Sequence, residues 1–375
     1  MNEKRILIFY PHNFYEMSDG THRRFYNLLS YFKERDFKID LLSINGFTNN
    51  WTGEYINRRD LFDCITVCNW SPSIKEQFKR ALNIKRGCLQ DFSFPSLRKK
   101  FRRLAESKQY SFVLVSYVYW ASLLDEIESN ITSIIDLHDF ITLNNFLLSE
   151  SNDFRLGRMF EDEIRAISKF DYALSISEEE TLILRPFCPQ TKFINVPVSF
   201  PEKFQNGNEY MFDILFVGSG NTFNREGIKW FMDGVYPMLP VFVRIAVVGK
   251  MCEYVGNKEN ITLIPYANDL DEIYKKSKII CCPLKGGTGL KVKVVEAMSY
   301  GKPVVTTSWG LTGIIQKSNN GCLLADTEKG FSEAILLLLN DRNEYRKNQS
   351  RAQDFFCQYY STSIVYKELD TVFMG

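Results

Sequence analysis

No stretch of this sequence is long and apolar enough to suggest a membrane span. The longest uncharged run, Tyr110 to Leu124, is short for a bilayer and is interrupted by serine and tyrosine. Near the N-terminus only Ile6 to Tyr10 is apolar before Pro11 and His12, too little for a signal peptide. The expectation is a cytoplasmic protein, with peripheral attachment to the inner face of the cytoplasmic membrane left open. Net charge is missing too. Lys+Arg 46 against Asp+Glu 45 leaves a formal +1, which removes any global pull toward nucleic acid. Cysteine is sparse, nine residues in 375. The closest groupings, Cys64 with Cys68 and Cys281 with Cys282, have no histidine or further cysteine nearby, so neither a disulfide framework nor a metal set is expected. No Gly-Lys-Ser/Thr phosphate loop, solenoid repeat or low-complexity segment occurs.

What is present is ordinary in polarity and rich in rings: 30 Phe and 19 Tyr suit large cores. The length points to two domains. Short β-branched and aromatic runs alternate with helix-length amphipathic segments, the pattern of parallel sheets with crossover helices. Strands are expected at 6–10, 39–43, 64–67, 112–116, 133–137, 172–176 and 192–196. Helices are expected between them, for example at 21–35 and 157–169. Pro197, Pro201, Asn206, Gly207 and Asn208 then form a breaker-rich stretch, read as the linker. A second series follows at 213–217, 243–248, 261–264, 279–283, 303–307 and 322–325, ending in helices at 341–360 and 361–373. The fold class is therefore α/β, with two doubly wound domains: 1–200, 201–357, and a final helix within 358–375. In such folds ligands bind beyond the carboxyl ends of the strands.

One segment carries chemistry. Residues 283–307 run Pro-Leu-Lys-Gly-Gly-Thr-Gly-Leu-Lys-Val-Lys-Val-Val-Glu-Ala-Met-Ser-Tyr-Gly-Lys-Pro-Val-Val-Thr-Thr. A buried strand passes into a loop with Gly286, Gly287 and Gly289, then into a helix expected from about Gly289 to Ser299. Gly301 falls where a left-handed cap belongs, and Pro303 restarts the chain as a strand. Glycines at a helix mouth let backbone amides approach an anion, and the helix dipole favours phosphate there. Lys293 and Glu296 share one face, spaced for a diphosphate and for ribose hydroxyls. A surface loop with a Lys293–Glu296 ion pair is the equally good alternative on these grounds alone.

The run from Gly287 to Val305 resembles the donor-site segment of family 4 retaining glycosyltransferases of the GT-B fold, in particular the bacterial group 1 enzymes. Leu215-Phe-Val-Gly-Ser-Gly-Asn-Thr-Phe-Asn-Arg-Glu-Gly-Ile-Lys-Trp-Phe231 resembles the first strand and loop of that family's C-terminal domain, and Ala352 to Phe373 its last helices, which cross back to the N-terminal domain. The resemblance covers about residues 210–373. It implies a GT-B architecture, two facing Rossmann-like domains with an interdomain cleft. It also implies a metal-independent transferase with no cofactor, moving a hexose-type sugar from a nucleoside diphosphate (UDP- or GDP-sugar) to a glycan, lipid-linked or protein-linked acceptor in surface polysaccharide or glycoconjugate assembly. Glu296 would then hold the ribose and Lys293 the diphosphate. The donor set would also include Gly218, Ser219, Arg225, Lys250, Tyr266, Thr288, Gly289 and Leu290. Two departures stand out. A second glutamate common upstream in the family is Thr288 here. In the first C-domain loop, Ser219 and Glu226 take places often held by Arg and Lys. A sugar-nucleotide epimerase of the same fold and a non-catalytic binding subunit remain alternatives.

In the first half, the loop from Pro11 to His22 leads into a helix. By the same resemblance Gly20, Thr21, His22 and Arg23 would form a loop near the acceptor or sugar. A solvated helix end is the plainer account of Arg23 and Arg24. His138 closes the fifth strand and is expected to project at its carboxyl edge, with Asp139 as N-cap of the next helix. A lone histidine is structural by default. The resemblance implies instead that His138 orients the reacting sugar, making it, with Lys293 and Glu296, the catalytic set.

Other motifs read as structure. Asp269-Leu-Asp271 fits a helix cap better than a metal site, because Glu272 completes a capping box. Gly218-Ser-Gly220 lacks the third glycine of a dinucleotide fingerprint, since position 223 is Phe. Ser177 followed by Glu178, Glu179 and Glu180 reads as an N-cap with acids at a helix start. Residues 75–103 hold ten Lys and Arg with interleaved Phe and Leu. This is either a basic face for anionic lipid or two solvated helices with aromatics packed inward.

Overall fold

Runs such as Ile6-Leu-Ile-Phe9 and Ile245-Ala-Val-Val248 are apolar on both faces, as strands covered on both sides must be. The computed structural model describes residues 4–16, 20–47, 50–53, 60–85, 88–127, 130–149, 154–204, 209–267 and 269–375. It divides into two units, Met1–Pro197 with Glu368–Gly375, and Val198–Lys367. Asn206, Gly207 and Asn208 of the expected linker, and residues 17–19 of the first loop, lie outside the described residues.

In the first unit the strands are β1 (Arg5–Phe9), β2 (Lys38–Asn45), β3 (Cys64–Asn69), β4 (Phe112–Ser116), β5 (Thr132–Asp136), β6 (Tyr172–Ser175) and β7 (Lys192–Asn195). They pair in parallel in the order β3-β2-β1-β4-β5-β6-β7. Strand order reverses between β1 and β4, which is the switch point of this sheet. Helices α1 (Gly20–Glu34), α2 (Ile74–Lys85), α3 (Pro95–Ser107), α4 (Ile141–Leu148), α5 (Leu156–Ile167) and α6 (Glu178–Leu184) connect the strands. Phe9, Val113, Val115, Trp120 and Ile135 lie at the centre of the core under the sheet.

The basic stretch divides between two helices of different character. In α3, Leu97, Phe101 and Ala105 are buried, and Arg98 pairs with Asp91 at 2.5 Å. In α2, Ile74 is 86% and Phe78 72% exposed, one turn apart beside exposed Lys75 and Lys79. The inward-packed account holds for α3 and not for α2.

The second unit repeats the plan with β8 (Phe212–Val217), β9 (Ile245–Val248), β10 (Ile261–Ile264), β11 (Ser277–Cys282), β12 (Val304–Thr306) and β13 (Cys322–Leu324). These are again parallel, ordered β10-β9-β8-β11-β12-β13, with the switch point between β8 and β11. Its helices are α7 (Thr222–Trp230), α8 (Leu270–Lys275), α9 (Val292–Ser299), α10 (Glu328–Asn340) and α11 (Arg342–Tyr359). A last helix, α12 (Thr362–Phe373), begins in the second unit. From Glu368 onward it belongs to the first, where Phe373 packs on Phe32, Phe37 and Phe112, and Asp370 pairs with Arg35. Among the described residues no helix is long and apolar enough to cross a membrane.

Two expected caps hold. Asp269 Oδ1 accepts from Glu272 N at 3.2 Å, and Ser177 Oγ from Glu180 N at 3.2 Å. Two others need correction. Helix α4 starts after Phe140, so Asp139 is too early to cap it. Its first amides, Ile141 N and Thr142 N, donate instead to Glu163 of α5, at 3.0 and 2.8 Å. The donor-segment helix starts at Val292 rather than Gly289, because Gly287 and Gly289 hold φ of 105° and 69°, outside the helical region.

Candidate functional site

The loops that follow β8 and β11 flank the switch point of the second sheet, where doubly wound folds place their ligands. After β11 the chain runs through Gly286 and Gly287, whose lack of side chains admits the ring of Phe223. Lys291 then turns back, and its Nζ donates to Thr288 O at 2.6 Å and Gly289 O at 3.1 Å. This bond pair closes the loop on itself just before α9. The first turn of α9 has no side-chain cap; Val294 N and Val295 N donate to Lys291 O, and the amides of Val292 and Lys293 have no partner within the helix.

From that turn Lys293 reaches the other loop. Its Nζ donates to Asn224 Oδ1 at 2.5 Å, and Asn224 Nδ2 donates to Ser219 O at 3.0 Å and Ser219 Oγ at 3.2 Å. Asn224 is itself placed by the Asn221 cap of α7. Lys293 therefore pairs with an amide, and the Lys293–Glu296 ion pair considered from sequence does not form. Burial lowers the pKa of the Lys293 ammonium from the ordinary lysine value. A desolvated ammonium with a neutral partner gains from an incoming anion.

One turn along α9, Glu296 Oε2 accepts from Tyr274 Oη at 3.3 Å. Arg225 follows Asn224 on α7, exposed, with its guanidinium 5.8 Å from the Tyr254 ring centre. Gly218 lies against Met251 and Asn224, and Gly220 against exposed Lys250. Leu290 is buried where Gly313 approaches its backbone. Tyr266 is 82% exposed. Bonds thus link Ser219 through Asn224 to Lys293, and Thr288 and Gly289 to Lys291, with Gly218, Leu290, Glu296 and Arg225 on the same loops and helices; Lys250 comes from the turn after β9. Tyr266 is outside that set. Sequence reasoning missed Asn224, Lys291 and Tyr274. Asn224 was marked only by Asn221 three residues earlier, a capping spacing.

The first unit gathers a second cluster where β1, β4 and β5 end. Tyr117 stacks on His138 at 4.0 Å and 15°, His12 stands edge-on to Tyr117 at 5.5 Å, and His22 lies 6.2 Å from His12. Tyr117 holds φ of +67°, a strained value for a residue with a bulky side chain. His138 is 2% exposed, packed rather than projecting, with Nε2 2.9 Å from Asp136 Oδ2. His22 is likewise buried, while Gly20, Thr21 and Arg23 are half-buried at the start of α1.

The solvated helix end is overturned for Arg24, which is 1% exposed. It donates to Asp136 Oδ1 from Nε at 2.9 Å and Nη2 at 2.6 Å, to Leu174 O at 3.2 Å, and to Val196 O. Burial alone would raise the Asp136 carboxyl, but the charges of Arg24 and His138 outweigh it and hold the group at about 2. Close by, burial pushes Glu163 up to about 7 and Glu180 up to about 8, with the charge of Asp139 adding to both.

Residues 212–341, the part of the second unit holding both loops, match the family described as Glycosyl transferases group 1. A Klebsiella pneumoniae protein described as an uncharacterized 44.6 kDa protein in the cps region is 24% identical over 305 residues, 72% of this chain and 76% of that one. Among solved structures, sucrose-phosphate synthase from Thermosynechococcus elongatus has a TM-score of 0.71 at 13% identity, covering 99% of this chain and 98% of that one. Anabaena HepE in complex with UDP has a TM-score of 0.69 at 12% identity, covering 98% and 99%. At such identities the structural likeness concerns the fold, which is GT-B. Taken with the group 1 match, the chain is an enzyme of the glycosyltransferase class.

Proposed function

We propose that this enzyme transfers a hexose-type sugar, with retention of anomeric configuration, from a UDP- or GDP-sugar to a glycan, lipid-linked or protein-linked acceptor in surface polysaccharide or glycoconjugate assembly. The observation that carries it is the Ser219–Asn224–Lys293 linkage, which sets a desolvated ammonium at the uncapped start of α9 with Glu296 one turn on. In this reading the α9 amides, Lys293 and Arg225 stabilise the leaving diphosphate, a role that calls on neither metal nor cofactor. Glu296 accepts the ribose hydroxyls. His138, held by Asp136, orients the sugar, and Gly20, Thr21, His22 and Arg23 shape the loop beside it. The UDP carried by HepE supports a nucleotide donor, and the cps-region relative supports a polysaccharide setting.

The proposal extends to place. Helix α2, with outward Ile74 and Phe78 beside Lys75 and Lys79, suits the anionic inner face of the cytoplasmic membrane. Sedimentation with phosphatidylglycerol vesicles, lost in Ile74→Ser/Phe78→Ser, checks this.

The donor is tested by thermal shift against UDP-, GDP-, ADP- and dTDP-sugars, since a specific binder stabilises the folded state by mass action. Glu296→Ala is expected to weaken the stabilising donor by roughly 10–150-fold, the loss of hydrogen bonds to a charged group. Unchanged donor affinity in that variant refutes the ribose assignment. Donor binding with neither transfer nor hydrolysis over a broad acceptor panel would leave a non-catalytic binding subunit.

A further inference from the structure

Glu296 is backed by a layered set of aromatic and polar side chains. The hydroxyl that reaches its Oε2 belongs to Tyr274 on α8, a fully buried residue. The Tyr274 ring lies flat on that of Tyr300, with centres 4.7 Å apart and planes 7° apart. Tyr300 Oη in turn donates to Asp271, and Lys203 Nζ donates to Asp271 Oδ1 at 2.7 Å and to Tyr300 Oη at 3.1 Å. The Tyr274 phenol is thus held by stacking, and its neighbour is held by an ion pair. Burial, and then the charge of Glu296, raise the Tyr274 hydroxyl well above its ordinary value, so it stays a donor toward the carboxylate.

We propose that Tyr274 is the positioning residue for Glu296, its hydroxyl presetting the carboxylate that receives the ribose. This rests on the donor reading above and adds to it the residue that orients the ribose acceptor. A glutamate side chain has several rotatable bonds, and ordering it on binding costs affinity that a preset acceptor avoids. A buried tyrosine hydroxyl needs some acceptor in any case. The test therefore has to separate orientation of the carboxylate from simple satisfaction of the phenol.

Tyr274→Phe keeps the ring stack and removes only Oη. Its affinity is measured by calorimetry for whichever of UDP, GDP or ADP stabilises the wild type, and for the 2′,3′-dideoxy analogue of that nucleotide. The expected result is about 3–10-fold weaker binding of the ribonucleotide, unchanged binding of the analogue, and a donor KM that rises with little change in kcat. In Tyr274→Phe/Glu296→Gln the tyrosine change should add nothing to Glu296→Gln alone. Equal loss for both nucleotides, or no loss for either, or additive effects in the double variant, overturns the proposal. If Glu296→Gln itself discriminates ribose from dideoxyribose as the wild type does, the ribose reading fails, whatever Tyr274→Phe shows.

Discussion

Replacing Arg24 with methionine would leave the Asp136 carboxylate with His138 as its charged neighbour and no route to water. Asp136 is fully buried and Arg24 is 1% exposed, so solvent cannot take over the lost partner. The guanidinium supplies two bonds to Asp136 and one each to the carbonyls of Leu174 and Val196. Methionine fills a similar volume and supplies none of them. Removing one partner of a buried ion pair costs about 3–5 kcal/mol. For a unit of this size each kcal/mol lowers the midpoint by about 2–4 °C, so the first unit should melt roughly 6–20 °C earlier. The pH dependence follows from Asp136, held at about 2 against an ordinary value near 3.8. A lowered carboxyl contributes stability above its unfolded pKa and loses it as pH falls through the folded one. Without Arg24, burial raises the Asp136 carboxyl in the variant, so the gap between wild type and Arg24→Met should be largest at neutral pH and narrow as pH falls toward 2. Calorimetry of the first unit's transition across that range is the assay. A midpoint within 1 °C of wild type at pH 7, or a gap that widens in acid, would refute the reasoning.

Glu180 and Glu163 act with the opposite sign. Their raised values, about 8 and about 7, mean that the folded state holds protons the unfolded state releases. The stability they allow is complete below about pH 4.5 and is lost as pH rises through 7 and 8. Glu180→Gln should flatten that decline and raise the midpoint at pH 8, as thermal melts at pH 5 and pH 8 will show. Gly227→Ala would set a Cβ 2.0 Å from the backbone oxygen of Pro283, which cannot swing aside as a side chain could. It should cost about 1–3 kcal/mol and, by moving Asn224 on α7, weaken donor binding about 10–100-fold; wild-type melting with wild-type donor affinity would contradict the packing. Lys291→Met deletes both carbonyl bonds of the glycine loop. An intact fold with about 5–10-fold weaker nucleotide binding is expected by titration calorimetry.

Parallel strands were legible because burial on both faces leaves them as bare apolar runs between polar breakers, so each expected strand has its counterpart within one to two residues at most ends. The glycine loop was legible for a related reason, since the positive φ of Gly287 and Gly289 is a conformation glycine adopts most readily. Side-chain partnerships were not. Arg24 and Asp136 lie 112 positions apart, and an arginine at a helix start gives no local sign that a strand end will claim it. Asp139 looked like a cap because it had the right chemistry. Glu163, 21 and 22 positions from the amides it satisfies, took the role once the helix began one residue later, at Ile141. Lys291 carries no local mark of its role, which comes from the loop geometry that brings its ammonium back onto the carbonyls of Thr288 and Gly289.

The split ownership of α12 bears on how this chain is made. Phe32, Phe37 and Phe112 receive Phe373, and Arg35 receives Asp370. By the time residue 197 has been added, every strand of the first sheet has been made, but not the ring that covers this apolar spot. The early half must wait, partly uncovered, while some 170 further residues emerge and fold. Chaperone demand should peak in that interval, and clipping the final turn should harm the oldest part of the polypeptide more than the newest.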